Sequence, residues 1–223
     1  RDEAADIAAS WEGPDLVLPG GYGGLVTAYA AGLPVRLGDP VTAIRWDGPG
    51  VVAQTASGTA VRAGHAVVTV PTGVLAAGRI RFTPELPDAT LAAIRGLPMG
   101  ALTKVVLAFD GERFGIPPWR YLRDLGSGFA FGTWHFDRDL VVATIGGDAA
   151  RDLVAAGEAA AVAAALDVFV RIAGEGARRR FTGGRLSAWW GDPFSEGSHA
   201  VVPPGGLAAR AALAAPVGRR VHL

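Results

Sequence analysis

The sequence predicts an α/β (α+β) fold in two domains, on three observations. Short runs rich in valine and isoleucine, such as 41–47, 51–55 and 66–70, are separated by Gly, Pro and Asp turns and read as strands. Residues 147–174 place Leu153, Val162, Leu166, Phe169 and Val170 at helical spacing. Composition changes near Gly78, where the proline-punctuated stretch 79–87 crosses from one strand-rich region to another. The expected boundaries are a first domain over 1–77, a second over 78–200, and a return to the first over 201–223.

In chain order, residues 1–12 read as helical. A glycine-rich turn over 16–24 follows, then a short helix over 25–31. Short strands come next at 35–37, 41–47, 51–55 and 60–62, with turns at Asp47-Gly48-Pro49-Gly50 and Ser57-Gly58. Residues 66–70 are apolar except for Thr69, the pattern of a strand covered on both faces, and Pro71 stops it. A helix is expected over 88–95, with Asp88 near its N-cap. Strands follow at 100–110, 119–122, 129–136 and 140–145. The long helix over 147–174 takes Asp148 as its cap and carries a weak point at Gly157. Arg178-Arg179-Arg180 reads as a solvated loop, 186–190 as a strand, and 220–223 as the opening of another.

With 223 residues, half of them apolar, the chain can bury a sizeable core. Its 21 acidic and 21 basic residues give no net charge, so it carries no electrostatic footprint for nucleic acid or an acidic membrane. The absence of cysteine excludes a disulfide scaffold, a thiolate zinc site and a cysteine nucleophile. No signal peptide is visible, and the longest small-apolar run, 159–166, is far too short to span a bilayer. The absence of cysteine is compatible with a cytoplasmic enzyme. Heavy use of Ala, Gly and Arg suits a GC-rich, bacterial coding background. The chain starts at Arg1 and stops within strand-like residues, so a fragment of a longer protein is expected.

Lys104 is the one lysine among 21 basic residues, and it sits inside a strand. Residues two apart in a strand share a face, which groups Lys104 with Leu102, Val106 and Ala108. The other face holds Thr103, Val105, Leu107 and Phe109, so neither reads as a solvent face. A buried ammonium is costly unless it is paired or loses its proton. Lysine can lose it and hold a single water, whereas arginine cannot. Lys104 is therefore a candidate catalytic group. The competing reading is a strand-end lysine that reaches water along its stem.

Several segments then occur in order. They are LPGGYGGLVTAYA from Leu18, PVTAI from Pro40, VVTVPTGVL from Val67, the spaced Phe82, Pro84, Leu86 and Pro87, LPMGALTKVVLAFD from Leu97, and WWGDPFSEGSH from Trp189, followed by Pro204-Gly205. Together they resemble the flavin-containing amine oxidase family, which includes monoamine oxidases, polyamine oxidases and histone lysine demethylases. The resemblance implies a two-domain FAD-linked reductase-like fold, with a mixed-sheet substrate domain flanked by helices. It implies FAD as cofactor and a small-molecule amine as substrate, oxidised at the carbon beside nitrogen, with imine hydrolysis and release of hydrogen peroxide.

It further implies that Lys104 is catalytic and holds a water near the flavin. Trp189 would pack beside the flavin ring. Val41, Thr69 and Pro71 would line the cofactor, Val41 through its backbone. His199 falls where the family usually has a tyrosine of the substrate cage, which favours a more polar amine. The dinucleotide fingerprint G-x-G-x-x-G is absent, so the isolated chain is expected to bind FAD poorly and to be inactive alone.

Other chemistries find no support. There is no G-x-S-x-G elbow, Walker loop or H-E-x-x-H. The four histidines His65, His135, His199 and His222 are scattered, so no metal site is expected. Asp192, before a proline, is expected to shape a turn, and Phe131, Trp134 and Phe136 to pack a core or hairpin. Two alternatives stand beside amine oxidation: a related flavoenzyme acting on carbon–carbon bonds, and a non-catalytic binding module.

Overall fold

In the computed structural model, which describes residues 17–223, the short strands expected after residue 40 form a meander. The helix expected over 1–12 lies outside the described residues. Among the described residues helix α1 (Tyr22–Tyr29) comes first and buries none of its side chains. Strands β1 (Val41–Arg45), β2 (Val51–Thr55) and β3 (Ala60–Ala63) then pair antiparallel. The turn between β2 and β3 is closed by Gly58 at φ 86°, a conformation that costs glycine nothing. Strand β4 (Ala66–Val67), helix α2 (Thr72–Ala76), strand β5 (Arg81–Thr83) and helix α3 (Asp88–Gly96) follow. β5 joins β1 in parallel, giving a mixed sheet of order β3-β2-β1-β5.

Along the chain come β6 (Met99–Gly100), β7 (Leu102–Phe109), β8 (Tyr121–Arg123), β9 (Ala130–Thr133) and β10 (Leu140–Gly146). Helices α4 (Gly147–Ala156), α5 (Glu158–Ala173) and α6 (Gly176–Arg180) precede β11 (Phe181–Leu186) and β12 (His199–Ala200). Helix α7 (Leu207–Leu213) and strand β13 (Val221–His222) end the chain. Two compact units result: residues 17–98 together with Val202–Leu223, and Met99–Val201. The composition change at Gly78 lies upstream of the Pro98/Met99 division, because α3 packs against α7 of its own unit. Gly96 permits that approach: a Cβ there would stand 3.1 Å from that of Ala209.

The first unit gathers Ile44, Val51, Val68, Ile80, Leu86 and Ile94 with Val217 and Val221 into one core. The strand expected over 66–70 shortens to β4. Among the described residues it pairs in parallel with β13 alone, and Val67 stays 71 % exposed, so the expectation of cover on both faces is corrected. No strand forms at 35–37, where the side chains are exposed and no partner strand pairs with them.

The second unit is built on an antiparallel sheet of order β11-β7-β10-β9-β8, backed on one face by α5. The α/β fold expected is thus present. The mixed sheet, however, is the four-stranded one, and the helix-backed sheet is antiparallel throughout. Val105, Leu107, Phe131, Val141 and Ala143 meet Ala161, Ala165 and Phe169 with no exposure on either side. Burying each large apolar side chain there contributes about 1.5–3 kcal/mol. The helix expected over 147–174 breaks at Gly157, whose φ of 87° ends α4 and starts α5. Asp148 sits in the first turn of α4, and the cap position is Gly146. The arginine run is helical as α6, with Arg178 paired to Asp167 at 2.9 Å and Arg180 to Asp110 at 3.0 Å.

Candidate functional site

Strand β7 alternates as its sequence requires, and the alternation decides where Lys104 points. Thr103, Val105, Leu107 and Phe109 are buried toward α5. Leu102 and Lys104 are exposed, and Val106 and Ala108 half-buried, on the other face. The expectation that neither face meets solvent is therefore corrected: among the described residues no helix covers the Lys104 face. Apolar neighbours within a strand do not by themselves bury it, so burial gives no reason here for lysine over arginine.

Register lays out this open face. Lys104 stands opposite Thr144, Thr144 opposite Ala130, and Ala130 opposite Arg123. The next row runs Val106, Val142, Gly132 and Tyr121. Gly132 lacks a side chain for a reason: a Cβ there would lie 2.6 Å from Cε1 of His135, whose imidazole rests on the strand. His135 in turn packs on Trp119, with ring centroids 4.4 Å apart. Against Leu102 and Thr144, the strand and ladder neighbours of Lys104, lies a depression of about 290 Å³, bordered also by Tyr121, Arg123, Leu125 and Gly146. Arg123 places its guanidinium over the Tyr121 ring at 5.7 Å. Asp124 at its rim is held below the ordinary carboxylate range, first by the Ser127 hydroxyl and then by the Ser127 N–H and Arg171, against the opposing effect of burial.

Ser187, just past β11, fastens the Trp189 segment to this strand. Its N–H donates to the Lys104 carbonyl at 2.8 Å, and its Oγ accepts the Lys104 N–H at 2.9 Å. The Ser187 carbonyl is turned aside to accept the Thr103 hydroxyl. The chain then enters a 3-10 turn, Trp189–Gly191, beside β7 and α4, where a strand was expected. Trp189 is 53 % exposed, and Arg151 lies 4.4 Å over the Trp190 ring. Asp192 shapes this turn as expected, accepting the Phe194 N–H at 3.1 Å and the Ser195 hydroxyl at 2.6 Å.

His199 is exposed on β12, which pairs with β6 at Gly100. Only glycine fits at that position, since a Cβ would meet Val201 Cγ2 at 2.8 Å and His199 Nε2 at 3.4 Å. The one hydroxyl proton of Ser198 goes to the Gly100 carbonyl at 2.8 Å, so His199 Nδ1 is the donor in its 2.9 Å contact with Ser198 Oγ. In the neutral ring Nε2 is then a lone-pair acceptor.

The other three expected positions lie in the first unit, which is described separately. Val41 is half-buried where the β1–β2 register shifts between Val41 and Ala43, so its backbone sits at an irregularity of the ladder. Thr69 is exposed just past β4, and Pro71 is half-buried ahead of α2. A backbone at a bulge and an exposed hydroxyl fit hydrogen bonding to a dinucleotide. The sequence holds no complete fingerprint for the pyrophosphate. Phe131 and Trp134 are core residues with no exposure, while Phe136 packs edge-on to Trp119 at 5.1 Å. Among the described residues there is no cluster of metal-ligating side chains, and no helix is long and apolar enough to cross a membrane. Sequence reasoning missed Ser187, Ser198, Thr144 and Arg123. Alternation puts Tyr121 and Arg123 on one face, but nothing local says which face is open.

Comparison with known proteins bears on these residues. The family described as "Flavin containing amine oxidoreductase" matches residues 5–223. Polyamine oxidase 4 of Oryza sativa subsp. japonica is 39% identical over 108 residues, which cover 45% of this chain and 22% of that protein. Lysine-specific histone demethylase 2 of Homo sapiens is 34% identical over 104 residues, covering 47% of this chain and 13% of that one. Among solved structures, cyclohexylamine oxidase from Brevibacterium oxydans IH-35A superposes with a TM-score of 0.64 at 29% identity, over 82% of this chain and 41% of that one. A putrescine oxidase triple mutant, redesigned in cofactor binding, gives 0.68 at 22% identity, over 89% and 45%, a likeness of fold. The chain thus spans less than half the length of each of these proteins.

Proposed function

We propose, from the premise that this chain belongs to the flavin-containing amine oxidoreductase family, that it supplies the substrate-handling sheet and part of the cofactor site of an FAD-dependent amine oxidase. The flavin, when bound, supplies the acceptor for hydride from the carbon beside the amine nitrogen, and dioxygen removes those electrons as hydrogen peroxide. The remaining steps belong to the chain's own residues. The unit Met99–Val201 is assigned to substrate, and residues 17–98 with Val202–Leu223 to cofactor.

The observation that carries this reading is Lys104 on the uncovered face of a sheet whose opposite face is sealed by α5. A compact amine on a rigid strand can hold one water by hydrogen bonding, and that water can hydrolyse an imine or meet dioxygen. The Trp189 indole is a flat wall that excludes other water from the reacting carbon. His199 offers Nε2 to an N–H or O–H of a polar substrate. The Val41 backbone, the Thr69 hydroxyl and the turn at Pro71 hold the dinucleotide.

The test uses the FAD-loaded, full-length protein. Lys104→Met keeps its flavin spectrum and loses on the order of 10²-fold in amine turnover or re-oxidation. Parental rates in that variant overturn the assignment.

A further inference from the structure

We infer that the depression against Leu102 and Thr144 is a carboxylate subsite, and that the preferred substrate is an amine carrying a carboxylate several bonds from its nitrogen. This rests on the reading of Lys104 given above. The charges on the open face point to it. The depression has one acid among its lining residues, Asp124, and that carboxylate is committed: it accepts the Ser127 N–H at 3.1 Å and the Arg171 guanidinium at 3.1 Å. At the outer strand Arg185 is neutralised by Glu158 at 2.8 Å. Arg123 has no acidic partner among the described residues. Its guanidinium carbon lies 5.7 Å from the centre of the Tyr121 ring, and no side-chain hydrogen bond engages its N–H groups among the described residues.

Such a surface disfavours a diamine, whose far ammonium would approach Arg123, and accepts a carboxylate through paired N–H···O bonds. At about 290 Å³ the depression suits a small terminal group. Spacing sets the length. Lys104 and Arg123 stand on strands three apart, so their backbones lie about 14 Å from each other. The stems of a lysine and an arginine are each long enough to cover part of that span. An α-amino acid is too short to bridge what remains, whereas an ω-amino acid reaches.

The experiment compares 6-aminohexanoate, 1,6-diaminohexane and hexylamine as substrates of the full-length, FAD-loaded protein. The expected order in kcat/KM is carboxylate first, hexylamine next, diamine last. Arg123→Gln is expected to lower the ratio of 6-aminohexanoate to hexylamine by roughly 30-fold, with Arg123→Lys retaining part of it. Preference for the diamine, or a ratio unchanged in Arg123→Gln, overturns the subsite. If no amine is oxidised, the amine-oxidase reading fails, and the subsite is judged separately by NMR. A shift of the Arg123 side-chain resonance on adding 6-aminohexanoate supports it, and no shift overturns it.

Discussion

Lys104 and Ser187 exchange two hydrogen bonds across neighbouring strands, one of them through the Ser187 hydroxyl in place of its carbonyl. The substitution of acceptor frees that carbonyl for Thr103 and bends the chain out of β11 into the Trp189 turn. Ser187→Ala removes the acceptor of the Lys104 N–H and the hold on the turn. A loss of about 1 kcal/mol in denaturant unfolding is expected, together with faster amide exchange at Lys104. Unchanged exchange would show that the hydroxyl carries no weight.

Lys104→Arg separates charge from geometry. The guanidinium keeps the positive charge but spreads its donors over a planar fork, where lysine offers one compact ammonium. Turnover in this variant should fall close to that of Lys104→Met in stopped-flow assays of flavin reduction and re-oxidation. Near-parental turnover would mean that charge alone suffices.

Gly132→Ala places a methyl group against the His135 ring, which must leave the strand surface and its contact with Trp119. Overpacking of this kind costs about 1–3 kcal/mol. A thermal melt, with Trp119 fluorescence as local reporter, measures both the destabilisation and the displaced ring.

Asp124 offers a pH test. Its carboxyl is held below the ordinary value of 3.8, mainly by the Ser127 hydroxyl. A folded-state pKa below the unfolded one contributes stability that is present above the unfolded pKa and lost as pH falls through the folded one. Ser127→Ala should move the Asp124 titration upward toward 3.8 in carboxyl-carbon NMR, so that the stability Asp124 contributes above its unfolded pKa shrinks, and with it the part lost in acid. An identical titration curve would discount the Ser127 hydroxyl.

How legible the chain is in sequence depends on the range of the interaction involved. The strands at 51–55 and 140–146 follow from local alternation, and the structure places them there. Gly157 was visible as a weak point in a long helical pattern, but the sequence could not say that its φ would split the helix in two. The strand at 66–70 was overread because apolar content resembles burial, whereas among the described residues β4 finds its one partner in β13, at the far end of the chain.

By itself the sequence determined the α/β alternation, the family motifs and the partition of β7 into a Lys104 side and a Val105 side, because each is set by residues a few positions apart. Tertiary structure alone decided which side α5 seals. It also decided that Lys104, Thr144 and Arg123 share one row, and that Ser187 ties the Trp189 turn to β7. A strand's period defines two faces without saying which is covered; the covering helix and the neighbouring strands come from distant parts of the chain, and only long-range packing selects among the pairings that the pattern allows.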